Sequence, residues 1–110
     1  MSEVKVLKNF INGEFEDNSN YDYINVLNPS TEEVIAKIPS SSEADVDRAI
    51  DVAEVAQRDW EKLPAVQRGA YLRKLAERIR ERESEITQTI VNEGGKTFDL
   101  AKVEVLFTAD

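Results

Sequence analysis

Residues 38–46 read Ile38-Pro39-Ser40-Ser41-Ser42-Glu43-Ala44-Asp45-Val46, and the chain changes character across them. Before Pro39 the apolar residues come in short runs of the β type; after Ser42 they recur three and four apart. Pro39 and the three serines end the strand region. Ser40 with Glu43, or Ser42 with Asp45, fits a capping box, in which a hydroxyl and a carboxylate satisfy amides that the first helical turn leaves without partners. The expected fold class is therefore α/β, with an N-terminal β-hairpin and short strands (1–40) followed by two to three amphipathic helices.

Towards the N-terminus, Lys8-Asn9-Phe10-Ile11-Asn12-Gly13-Glu14-Phe15 sets apolar residues on both sides of an Asn-Gly pair. That pair is a strong short-hairpin signal because both turn positions need positive φ. After the polar stretch 16–20, Tyr21, Tyr23 and Ile24 to Leu27 form one β-type run, and Val34, Ile35 and Ile38 another. Asn28-Pro29-Ser30-Thr31 between them marks a turn.

Towards the C-terminus, a helix is predicted over 43–62, on which Val46, Ala49, Ile50, Ala53, Ala56 and Trp60 form one stripe at 100° per residue and read as core-facing. Pro64 cannot continue that helix but suits the first turn of the next. A second helical pattern covers 64–93, with Leu72, Leu75, Ala76, Ile79, Ile86 and Ile90 in one stripe and an interruption near Ser84, and it stops at Gly94-Gly95. A third covers 97–110, with Leu100, Val103, Leu106 and Phe107 on one side. It carries no stop signal, so the sequence reads as if truncated at Asp110.

Composition narrows the function classes. Twenty-two acidic against 14 basic residues, a net charge of −8, argues against a phosphate-binding surface and hence against nucleic acid as a partner. The basic run Arg73 to Arg82 is interleaved with Glu77 and Glu81 and reads as a solvated helix face. No apolar run approaches the ~18 residues of a membrane span, and no secretion signal opens the chain, so the expected address is cytoplasmic. With neither cysteine nor histidine present, thiolate or Ser-His catalysis and the usual zinc sites have no residues here.

Two motifs carry residue types suited to chemistry. Gly94-Gly95-Lys96-Thr97 resembles the end of a phosphate-binding loop, yet Ile90 stands where that loop needs its first glycine, and a helix precedes it where a strand should. A helix C-cap is the preferred reading. The carboxylate pairs Glu32 with Glu33 and Asp45 with Asp47 could in principle serve as acid and base, but in so acidic a chain a solvated surface is the default. From the residues alone, no catalytic, cofactor-binding or metal site is assigned.

The blocks gain meaning in order. Ile11-Asn12-Gly13-Glu14-Phe15, then Asn28-Pro29-Ser30-Thr31-Glu32-Glu33-Val34-Ile35 with Ile38-Pro39, then the alanine-spaced helix closing on Trp60, then Glu93-Gly94-Gly95-Lys96 with Glu104 in the following helix, resemble the N-terminal region of the NAD(P)-dependent aldehyde dehydrogenase superfamily. The stretches 80–86, 93–96 and 101–110 look closest to its lactaldehyde and glycolaldehyde branch. The resemblance implies an enzyme in which a cysteine thiolate attacks the aldehyde, hydride passes to NAD or NADP, and glutamate-activated water releases the acid. It also implies that the nucleophile, the catalytic glutamate and the dinucleotide loop lie in family segments beyond position 110, so this chain alone is expected to be inactive and to bind no cofactor. Its expected role is scaffolding, as part of a cofactor-binding domain whose Rossmann-type sheet lies outside it, with the rest of the polypeptide as its partner and a homo-oligomer as the full-length form. The alternatives are a standalone, non-catalytic protein-interaction module derived from the same family, and an unrelated nucleotide-binding domain using Gly94 to Thr97.

Overall fold

A computed structural model of the chain describes residues 3–17 and 22–110. It divides into two compact units, Met1–Val26 with Val34–Leu63, and Leu27–Glu33 with Pro64–Asp110.

In the first unit, β2 (Phe10–Ile11) and β3 (Glu14–Phe15), preceded by β1 (Lys5–Val6), form the expected antiparallel hairpin, with Phe10 opposite Phe15 and Ile11 opposite Glu14. Asn12 and Gly13 carry the turn at φ of 56° and 78°, the positive values that select an Asn-Gly pair there. The Phe10 and Phe15 rings lie 4.9 Å apart, both on the exposed side. A separate three-stranded sheet has the order β1-β5-β4, where β4 is Tyr23–Leu27 and β5 is Val34–Pro39. β1 runs parallel to β5, with Lys5 opposite Ala36 and Val6 opposite Lys37. β1 leaves no sign in the residue pattern, since two residues are too few to show alternation and the partner lies some thirty positions away. Tyr21, assigned to a β-type run, falls outside the described residues.

Helix α1 (Glu43–Trp60) starts at the predicted device. Of the two candidate boxes it is Ser42 with Asp45 that forms: the Asp45 amide donates to Ser42 Oγ at 3.2 Å, and the Ser42 amide donates to Asp45 Oδ2 at 2.7 Å. Arg48, one turn on, reaches back to Glu16 beside the hairpin. The apolar stripe of α1 finds little cover within this unit. Val46, Ile50 and Trp60 remain exposed, and the hairpin residues Phe10 and Ile11 face the stripe only across an open groove.

In the second unit the helical run predicted over 64–93 is two helices, α2 (Ala65–Glu81) and α3 (Glu83–Gly94), broken at Arg82 with φ −103° and ψ 17°. Both pack against α4 (Phe98–Ala109), and the break gives each its own approach. The face that α4 buries is Ala101, Val105 and Ala109, one residue per turn, whereas Leu100 is 64% and Phe107 73% exposed. The residues of the packed face let the helices approach closely, and the large ones read as one side of the helix stay open to water. Thr87 of α3 is wholly buried and satisfies its hydroxyl by donating to Glu83 Oε1 at 3.0 Å.

Candidate functional site

The residues singled out for chemistry fall in both units. In the second, the turn 28–33 is organised by Asn28, whose Oδ1 accepts from the Ser30 amide at 2.9 Å and the Thr31 amide at 3.3 Å. Its ends are closed by the Asn28 amide donating to the Glu33 carbonyl at 2.9 Å. Thr31 Oγ1 accepts from the Glu33 amide, and Glu32 sits at φ 63°, a left-handed geometry that the surrounding bonds hold in place. Glu32 and Glu33 are exposed and converge on no cleft. In the first unit, Asp45 belongs to the capping box of α1 and Asp47 is exposed on the same helix.

Gly94 to Thr97 join α3 to α4. Gly95 is left-handed at φ 69° and ψ 15°, and its amide donates to the Val91 carbonyl at 3.0 Å, which closes the last turn of α3. Lys96 Nζ donates to Glu104 Oε2 at 2.5 Å, two turns into α4. A phosphate loop needs free amides fanned around an anion after a strand. Here a helix precedes, the glycine is a C-cap, and the lysine is spent on Glu104, so the nucleotide reading has no geometry to rest on. The turn and the cap meet: a Cβ at Gly95 would lie 2.9 Å from Pro29 Cγ.

At the hinge of the same unit, Arg82 pairs with Glu85, Nη2 to Oε1 at 2.6 Å. The hydrogen bond to Glu85, and then its charge, hold the guanidinium above its ordinary pKa, so it stays protonated. Arg80 Nη2 donates to the Ala109 carbonyl at 3.1 Å and to Asp110 Oδ1 at 3.0 Å, which ties down the end of α4. In the first unit a groove of about 390 Å³ runs between the hairpin and α1, lined chiefly by Phe10, Ile11, Val46, Ala49, Ile50 and Ala53. Of its polar residues, Asn9 Nδ2 donates to Ser41 Oγ at 2.8 Å, and Asp45 is engaged in the capping box with Ser42. Such a groove can accept apolar side chains but offers no nucleophile beside a base. Among the described residues no three acidic side chains gather as metal ligands, and no helix is long and apolar enough to cross a membrane.

The sequence profile of the aldehyde dehydrogenase family matches residues 15–110, nearly the whole chain, leaving out the first strand and all of the hairpin but Phe15. The chain belongs to the aldehyde dehydrogenase family. Lactaldehyde dehydrogenase of Escherichia coli is 52% identical over 101 residues, which cover 92% of this chain and 21% of that protein. A crystal structure of lactaldehyde dehydrogenase from Escherichia coli superposes with a TM-score of 0.93 at 49% identity, over 97% of this chain and 23% of that one. A NAD-dependent benzaldehyde dehydrogenase from Corynebacterium glutamicum superposes with a TM-score of 0.86 at 31% identity, over 93% and 22% respectively. This aldehyde dehydrogenase chain thus spans about one fifth of the length of the relatives it matches, in their N-terminal part, and has the α/β architecture of that portion. Solved members of the family hold NAD(P). The capped turn at Asn28 and the cap at Gly95 both lie within the matched stretch.

Proposed function

We propose that this chain is the N-terminal scaffold of an NAD-dependent aldehyde dehydrogenase that oxidises a small aldehyde, such as lactaldehyde or glycolaldehyde, to its carboxylic acid. The observation that carries the reading is collinear similarity: 52% identity over 92% of this chain, against one fifth of lactaldehyde dehydrogenase. A segment with so little of a relative's length contributes packing surfaces. The exposed stripe of α1 and the exposed residues Leu100, Val103 and Phe107 of α4 are such surfaces.

On this reading the segment is the outer part of the cofactor-binding domain. The catalytic, cofactor-binding and metal assignments within it stay at none, and NAD or NADP is held by the parallel sheet contributed by the remaining four-fifths, in a cytoplasmic homo-oligomer. The thiolate nucleophile lies there too, since this segment has no cysteine.

The test is to determine the coding sequence that flanks this segment, express the whole product, and follow NAD reduction with lactaldehyde and glycolaldehyde. A continuation carrying a cysteine nucleophile, with turnover on either aldehyde, is the expected result. A stop codon directly after Asp110, with a stable product of this length in the cell, overturns the reading in favour of the non-catalytic interaction module.

A further inference from the structure

We draw no further inference here: the strongest candidate, the outer face of α4 carrying Leu100, Val103 and Phe107, is an unpartnered apolar patch whose covering by the rest of an aldehyde dehydrogenase chain restates how that family folds, and nothing in the structure points to another occupant.

Discussion

Pro29 and Gly95 stand 66 positions apart in the chain, yet the turn of one presses on the helix cap of the other so closely that a Cβ on Gly95 would lie 2.9 Å from Pro29 Cγ. Two costs therefore fall on Gly95→Ala: a left-handed backbone carrying a side chain, about 1–2 kcal/mol, and a contact that the proline ring must move to relieve. The expected loss is roughly 2–3 kcal/mol, read as a lower apparent thermal midpoint by circular dichroism at equal protein concentration. An unchanged midpoint would show that the turn and the cap do not press on each other.

Its neighbour behaves oppositely. Gly94 closes α3 with helical backbone, and a Cβ there meets nothing within 4 Å. Gly94→Ala is expected to leave stability unchanged or raise it by up to about 1 kcal/mol, because alanine gives up less backbone freedom than glycine on entering a helix. If both alanine variants lost stability equally, the distinction drawn from φ and from space at these two positions would be wrong.

The Ser42 and Asp45 box fixes where strands give way to helices. Ser42→Ala removes an acceptor for the Asp45 amide and a hydroxyl that itself donates to Asp45 Oδ2 at 2.8 Å. The expected cost is about 1 kcal/mol, with fraying confined to the first turn of α1 in amide hydrogen exchange. Faster exchange spread evenly along 43–60 would instead assign Ser42 a role in the whole helix.

Lys96 separates the family reading from the nucleotide reading. Its pair with Glu104 is about half exposed on both sides, so Lys96→Ala should shift stability by less than about 1 kcal/mol. Neither the parent nor the variant should bind ATP or GTP saturably in calorimetry. Saturable binding that Lys96→Ala abolishes would return Gly94 to Thr97 to the status of a ligand site.

The parts that could be read from sequence are those whose causes are local. The Asn12-Gly13 turn, the stop at Gly95 and the junction at Pro64 are each set by the backbone preferences of one or two residues. What could not be read depends on partners distant in sequence. An interruption was legible near Ser84, but its place at Arg82 is marked by no glycine or proline and goes with the separate packing of α2 and α3 on α4. On α4 the large apolar residues form one side, whereas the packed side is Ala101, Val105 and Ala109; periodicity cannot say which face meets a neighbour when both are apolar. At the candidate site the C-cap role of Gly95 was legible, while its contact with Pro29 and the Lys96 pair with Glu104 required three dimensions.

Isolated in solution, the chain leaves large side chains such as Val46, Ile50, Leu72, Phe98 and Phe107 open to water. The expected behaviour is concentration-dependent self-association in sedimentation velocity and a broad thermal transition. A monodisperse monomer that melts sharply would contradict it.

The role proposed for this segment is that of the N-terminal scaffold of an aldehyde dehydrogenase. It is tested most directly by a hybrid in which the chain replaces the matching N-terminal segment of Escherichia coli lactaldehyde dehydrogenase, with NAD reduction on lactaldehyde as the readout. The expected hybrid is soluble and turns over within about tenfold of the parent, a loss under ~1.4 kcal/mol in barrier terms, while the relative lacking its own N-terminal fifth is inactive. A hybrid that folds and oligomerises like the parent yet reduces no NAD would contradict it.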